Sequence, residues 1–204
     1  MNFLKNNSYD IVRFFINQMG IMIFSLVLYI SCGFVEDVSV RSNLQLVVSI
    51  GSTLFYFALL YYAAWECGAK DKVRIDAGRL KKLPFKGALM SLVANSLNLI
   101  LSITALVCII IYIGSPELHS DTSALGNAVG ILSSVYHFIS AMFIGIANAF
   151  STLAEGLYAN LLGCIAFIIM YFVTIAVTGF GYFMGVRDYR ISSLFSSRPN
   201  GARD

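Results

Sequence analysis

The sequence predicts an all-α membrane protein: a helical bundle of four transmembrane helices plus a fifth helix that is either transmembrane or re-entrant. Apolar residues make up 58% of the 204 residues and charged residues only 12%, against about 25% charged residues in a soluble domain. The apolar residues form runs that reach the ~20 residues needed to cross a bilayer. Seven of the 14 Lys and Arg residues stand together between two of these runs.

The four transmembrane helices are predicted over 14–34, 44–65, 87–113 and 161–185. The first follows Lys5 and Arg13 as a signal peptide would, but its apolar run is longer than a secretory one and no small-x-small cleavage site follows. It is therefore predicted to be an uncleaved helix. A single transmembrane bundle is expected over 1–195, and the polar residues 196–204 are expected to form a disordered tail.

The basic segment 66–86 predicts how the chain is oriented. Lys and Arg in a short loop resist translocation, so this loop and the N-terminus are predicted to be cytoplasmic. Val73, Ala77, Leu80 and Leu83 recur at helical spacing, which predicts a short amphipathic helix in the headgroup layer that ends at Pro84. Its basic residues are predicted to dock anionic lipids or a partner protein: Lys70, Lys72, Arg74, Arg79, Lys81, Lys82 and Lys86.

The segment 126–150 leaves two topologies open. It carries no charge, but Gly, Ser, Asn and His dilute its apolar character. A full crossing, which hydropathy favours, would place the Arg-rich C-terminal tail outside. A segment that enters and returns would keep that tail in the cytoplasm, as the distribution of positive charge favours. On balance a cytoplasmic C-terminus is predicted.

Polar residues in the predicted helices lie on defined faces. On the third helix they recur at spacings that place them on one face, and lipid offers such groups no partners, so this face is expected to point inward. A second small and polar face keeps one phase from 126–150 as far as Glu155, which favours one continuous helix and argues against simple re-entry. Together these faces are predicted to line a polar cavity, with helix packing as the alternative: Ser91, Asn95, Asn98, Ser102, Ser134, His137, Asn148 and Glu155.

The last helix carries small residues in one phase. Thr174, Thr178, Gly181 and Gly185 lie on a single face, and the two glycines form a G-x-x-x-G pair that permits close helix approach. This face is predicted to serve helix packing, either inside one chain or between protomers.

The sequence argues against enzymatic chemistry. No H-E-x-x-H motif occurs, and no Asp lies within the four predicted transmembrane helices. The four cysteines and two histidines lack metal-ligand spacing, so no metal and no cofactor is predicted. The basic residues concentrate at a membrane edge, which argues for lipid headgroups and against a nucleic-acid partner.

One stretch resembles a known group of proteins. Its residues are Trp65-Glu66, Gly68-Ala69-Lys70-Asp71, Gly78-Arg79 and Lys86-Gly87, followed by the Asn-bearing helix. This run resembles uncharacterised multi-pass membrane proteins of bacteria that carry no assigned activity, and the resemblance implies a bacterial plasma membrane.

The chain is also similar in size and apolarity to the substrate-binding subunits of energy-coupling vitamin transporters. Those proteins usually have six helices and an alanine-spaced docking face on the first, where this chain has Gly20, Phe24 and Leu28. Only the general role is therefore carried over.

Two functions are expected from these observations. The first is a small transport protein, such as a substrate-binding or permease subunit that works with a partner, whose polar faces line a cavity. The second is a homo-oligomeric channel or a membrane scaffold, in which the same faces meet between protomers.

Overall fold

The computed structural model describes residues 2–81, 83–115 and 124–189, and over these residues the chain is helical with no strand. The predicted tail 196–204 and Lys82 lie outside the described residues. The helices are α1 (Asn2–Cys32), α2 (Val38–Asp76), α3 (Lys86–Ala94), α4 (Ser96–Gly114), α5 (Ala124–Ile139), α6 (Ile144–Ser151) and α7 (Leu157–Val186), and a 3-10 turn (Ala141–Phe143) joins α5 to α6.

Four of the described helices are long and apolar enough to cross a membrane, namely α1, α2, α4 and α7. The pair α5 and α6 passes the same test together, which raises the number to five if the pair is one span. The all-helical prediction is therefore confirmed. The predicted segments 44–65 and 161–185 lie inside α2 and α7, and 14–34 lies in α1 except for its last two residues, which follow the end of that helix.

Helix α2 is longer than predicted because both of its ends are capped. At its start, Asp37 Oδ1 accepts hydrogen bonds from the backbone N–H groups of Ser39 (2.8 Å) and Val40 (3.1 Å). At its end, Gly78 has φ +70° and its N–H bonds to Ile75 O, while Arg79 N–H bonds to the carbonyl oxygen of Arg74. This pattern is a Schellman motif, in which glycine takes the left-handed position.

The prediction of a separate amphipathic helix in the basic segment is therefore wrong. Residues 66–76 continue α2, and the described residues 77–81 and 83–85 lie outside any helix and lead into α3. Val73 follows the same helical spacing as the apolar residues before it because it belongs to the same helix.

The third predicted helix is interrupted at Asn95. Helix α3 ends at Ala94 and α4 begins at Ser96, with Asn95 at φ −95° and ψ 3° between them. The Asn95 side chain donates to Ser91 O (2.9 Å) and Ser96 Oγ donates to Val93 O (2.8 Å). Asn and Ser side chains that bond to the preceding turn compete with the helical ladder. The interruption is slight, because Asn95 N–H still donates to Ser91 O (2.9 Å) and Leu99 N–H to Asn95 O (3.0 Å).

Helices α2 and α7 run parallel in close contact. Gly181 packs against Tyr61, and four residues later Gly185 packs against Trp65. The end of α7 therefore lies beside the end of α2, where Lys72 pairs with Asp188 (3.2 Å). We call this the basic end of the bundle, which contains the turn 77–85 and the start of α1, and we call the opposite end the far end.

Helices α5 and α6, with the turn between them, form a bent pair that we call the hairpin. The two helices are bent by 88° relative to each other. Helix α4 ends at the far end and α7 begins there, so the hairpin enters the bundle from the far end and returns to it.

The prediction of one continuous helix over 126–150 is wrong. The small residues that recur along one face of the predicted helix have different surroundings in the structure. Gly145 lies against Gln45 and Ser49 of α2, whereas Gly130 has open space around it. The arrangement follows the distribution of positive charge, because the end of α7 lies on the same side as the basic turn.

Candidate functional site

The tip of the hairpin is held by side chains of α2. Residues 140–143 leave the α-helical ladder, and Met142 O accepts hydrogen bonds from Ser49 Oγ (2.6 Å) and Thr53 Oγ1 (3.2 Å). Ser49 Oγ in turn accepts from Ile146 N–H (3.4 Å). Backbone groups outside a helix are costly in an apolar interior unless protein groups satisfy them, and Ser49 and Thr53 perform that task here.

Aromatic rings fix the tip from two sides. Ser140 Oγ and Tyr171 OH form a hydrogen bond of 2.5 Å. The Phe143 ring meets Tyr56 edge-on at 6.4 Å between centroids and Tyr171 at 5.8 Å. The tip is thus wedged between α2 and α7 in the interior of the bundle.

Several buried polar groups have no hydrogen-bond partner among the described residues. Both polar atoms of Gln18 and of Asn98 are in this state, as is Asn95 Oδ1. Native proteins leave few buried polar groups unsatisfied, and each one costs about 1–3 kcal/mol. Five buried hydroxyl groups on α1, α2 and α4 also lack a hydrogen-bond partner: Ser25, Ser52, Tyr56, Tyr61 and Ser102.

The unpartnered amides lie at a similar depth. The ion pair between Arg13 of α1 and Glu66 of α2 (2.7 Å) fixes the level of these two antiparallel helices. Gln18 and Tyr61 each lie ~7 Å further into the bundle from that pair, at 1.5 Å per residue. Asn95 lies ~13 Å along α3 from its start at the basic end, and α3 packs against α1. The amides of Gln18 and Asn95 and the hydroxyl of Tyr61 therefore lie at about the same depth in the bundle. With Asn98, one turn further along α4, we call these groups the polar layer.

The structure divides the eight residues that the sequence predicts to line a cavity. The four residues in α3, in α4 and at the interruption between these helices are buried: Ser91, Asn95, Asn98 and Ser102. Ser134, Asn148 and Glu155 are exposed instead, because the 88° bend and the end of α6 separate them from the buried face. The prediction that these three share one cavity with Asn95 and Asn98 is wrong.

The exposure of His137 is intermediate between that of the buried residues and that of the exposed ones. The residue is half-buried, its Nδ1 is 2.7 Å from Ser133 O, and its ring stacks on Tyr136 and meets Phe167 edge-on. Asn148 Nδ2 donates to the hydroxyl of Tyr29 (3.0 Å). Both side chains thus tie the hairpin to neighbouring helices.

Gln18 is the functional candidate that the sequence analysis missed. Its side chain is 0% exposed, and Phe14, Ile21 and Ser25 on the same helix are buried with it. These positions follow the same i, i+4, i+7, i+11 spacing as the Asn face of α3 and α4. A glutamine within an apolar helix of membrane length was the available signal.

A cluster of charged groups closes the basic end. Asp71 is 3% exposed, and its Oδ2 accepts from Lys86 Nζ (2.5 Å) and from Tyr182 OH (2.9 Å). Arg74 Nη1 lies 3.8 Å from the other oxygen, Oδ1. This cluster joins α2, α3 and α7. Gly68 and Gly87 lie so close to Tyr182 that neither position has room for a side chain.

The basic residues predicted to dock lipids therefore differ in their surroundings. Lys86 is 6% exposed and Asp71 binds its ammonium group (2.5 Å), so most of this side chain lies inside the bundle, and its role in docking lipids stays a prediction. Lys70 pairs with Glu66 (2.7 Å), as its i, i+4 spacing suggests, and Lys72 pairs with Asp188. Exposed side chains remain at Arg74, Arg79 and Lys81.

The Thr and Gly face of α7 is used inside the chain. Thr174 and Thr178 are buried and donate to carbonyl oxygens of their own helix (2.8 Å each). Gly181 and Gly185 pack directly on α2. Within this structure the face is therefore occupied and is not free to join two protomers.

No protein-family model matches the chain, and no curated protein or solved structure matches it either. Over the described residues, no three His, Cys, Asp or Glu side chains come together as metal ligands. The functional argument therefore rests on the polar layer, the broken helices and the basic end.

Proposed function

We propose that the chain is a multi-pass integral protein of the plasma membrane that transports a small polar solute, alone or as a permease subunit. The bilayer location is supported by the length and apolar composition of α1, α2, α4 and α7. It is also supported by the many large apolar side chains on their outer surfaces, such as Ile16, Leu54, Ile100 and Phe172. Exposed apolar area of this extent suits lipid contact.

The polar layer next to two broken helices carries the transport proposal. Transporters place their binding sites near the bilayer midplane, where discontinuous helices leave polar groups free. This chain has one break at Asn95 and another at 140–143, and the unpartnered atoms of Gln18, Asn95 and Asn98 lie on the helices around them. These groups are amides and hydroxyls without a charge, so the proposed solute is uncharged and forms hydrogen bonds.

Thiol labelling tests whether the layer is wetted. We expect an Asn98→Cys variant in membranes to gain one label from a small hydrophilic thiol reagent, counted by intact mass against the parent chain. An Ile100→Cys variant of the same helix is the matched control, because Ile100 is exposed on the apolar surface and a thiol in lipid does not form the reactive thiolate. An unlabelled Asn98→Cys protein would mean a closed, packed interior and would contradict the proposal.

Native mass spectrometry separates transport from the alternative. A monomer or a defined complex with another subunit that retains a small molecule would support transport. A homo-oligomer without a retained molecule would support the channel or scaffold. The structure does not favour the alternative through α7, because Gly181 and Gly185 are already packed on α2.

The proposed orientation places the basic turn, the N-terminus and the end of α7 in the cytoplasm, since positive charge resists translocation. We expect Lys81→Cys and Asp188→Cys variants to be protected from an impermeant thiol reagent in intact cells and labelled after lysis. A Phe34→Cys variant at the far end is expected to be labelled in intact cells, because Phe34 is 84% exposed. Opposite labelling at Lys81 and Asp188 would show that the hairpin crosses the membrane.

A further inference from the structure

We propose that a cleft at the basic end binds the phosphate headgroup of one anionic phospholipid. The inference rests on the proposed membrane location. The cleft measures about 460 Å³ and lies between the first turns of α1, the end of α2 and the turn that follows. Its volume falls within the range of pockets that hold small ligands, about 300–1,000 Å³.

The cleft carries a surplus of positive charge. Arg74 and Lys86 both line it, and the single carboxylate of Asp71 serves both of them. That carboxylate lies 2.5 Å from Lys86 Nζ and 3.8 Å from Arg74 Nη1, so it is committed to Lys86. The Arg74 side chain is 65% exposed, which leaves its guanidinium free to turn toward an anion.

Arginine suits a phosphate better than any other side chain here. Its planar guanidinium can donate two parallel hydrogen bonds to phosphate oxygens. Asn6 adds an amide at the wall of the cleft, whereas the Asn7 amide donates to Phe3 O (2.8 Å). Arg74 is therefore the residue expected to carry the binding energy.

The cleft also has an apolar lining, which favours a lipid over a free phosphate ester. Phe3, Leu80 and Leu83 supply it, and Val73 and Phe85, close to these residues in the sequence, are exposed as well. A ligand that matches both kinds of lining has a charged head and a hydrocarbon body. Basic pockets between helices at the cytoplasmic membrane surface have this character.

Lipid titration followed by native mass spectrometry tests the proposal. The delipidated full chain in detergent is titrated with phosphatidylglycerol and, separately, with phosphatidylcholine. We expect one phosphatidylglycerol molecule to bind in preference to phosphatidylcholine. Arg74→Gln is expected to weaken this binding by about tenfold, which corresponds to one charge-assisted hydrogen bond. Arg79→Gln is the matched control, because Arg79 is exposed in the segment that follows α2 but does not line the cleft. The affinity of this variant is expected to stay within about twofold of the parent chain.

An Asn6→Asp variant keeps the test independent of folding. An acidic residue in the first turns of a helix favours the helix through the dipole, yet here it places a negative charge beside the phosphate. We expect α1 to remain folded while phosphatidylglycerol binding falls. Equal losses in Arg74→Gln and Arg79→Gln would show unspecific surface attraction and would overturn the proposal. Equal competition by glycerol phosphate would assign the cleft to a free phosphate ester and would also overturn it.

The two proposals fail separately. If the lipid site is wrong but transport is right, Asn98→Cys still gains its label in the Arg74→Gln background. If water does not reach the polar layer but the lipid site is right, Asn98→Cys stays unlabelled and phosphatidylglycerol still binds.

Discussion

A Lys86→Met variant is expected to lose about 3–5 kcal/mol of unfolding free energy, because it leaves the carboxylate of Asp71 buried without its main partner. Asp71 is 3% exposed and Lys86 6% exposed, so the carboxylate stays largely shielded from water when the ammonium group is lost. Arg74 at 3.8 Å compensates only in part. The measurement is reversible unfolding in mixed detergent and SDS micelles, followed by circular dichroism.

A double-mutant cycle with Asp71→Asn isolates the pair. The double variant removes both charges and leaves an amide oxygen that can accept from Tyr182 OH, which now donates to Asp71. Its loss is expected to be smaller than the sum of the single losses, with a coupling of about 1–3 kcal/mol. Lys72→Met is the control, since the ion pair of Lys72 with Asp188 is exposed and is worth about 1 kcal/mol or less. Equal losses in Lys86→Met and Lys72→Met would contradict the structural role of the buried pair.

The second large effect is expected from Gly185→Leu, which separates α2 from α7. A side chain at this position would collide with the backbone carbonyl of Trp65, and a backbone cannot move aside as a flexible side chain does. Overpacking costs about 1–3 kcal/mol, and more where the neighbour is rigid. We expect a loss of at least about 3 kcal/mol, measured by the same unfolding experiment.

Gly51→Leu is the matched control for this steric effect. Gly51 lies on α2 with open space around the position of its missing side chain, so leucine there improves helix propensity without a collision. Its stability is expected to stay at or above that of the parent chain. Native mass spectrometry of both variants gives a second readout. If Gly185→Leu keeps full stability and dissociates an oligomer, the glycine face belongs between protomers and the arrangement of α2 and α7 is wrong.

Charge patterning and helix length were accessible from the sequence for a physical reason. A run of about 20 apolar residues satisfies its own backbone only as a helix, so α1, α2 and α7 follow from composition and period. The clustering of Lys and Arg favoured a re-entrant fifth segment and a cytoplasmic C-terminus. In the structure α5 and α6 are bent by 88° and the end of α7 lies beside the end of α2, whereas the side of the membrane stays a prediction.

The bend could not be predicted from the sequence, because a small residue is compatible both with a close contact to another helix and with one continuous helical face. Gly145 lets α6 approach Gln45 and Ser49, but the same residue type would also suit one continuous packing face. Only the neighbours of each residue distinguish these cases. For the same reason Ser134 and Asn148 were grouped with Asn98, although the bend places them on the exposed surface.

The sequence by itself determined the helical class, the four long apolar helices, the i, i+4 pair of Glu66 with Lys70 and the face on which Asn95 and Asn98 lie, because each follows from local period or composition. Only the tertiary structure decided that Lys86 is buried against Asp71 and that Gln18 belongs to the polar layer. It also decided that Gly181 and Gly185 pack on α2. These features depend on which helices become neighbours and in which direction they run. Contacts between residues far apart in the chain set that choice, and no local pattern records it.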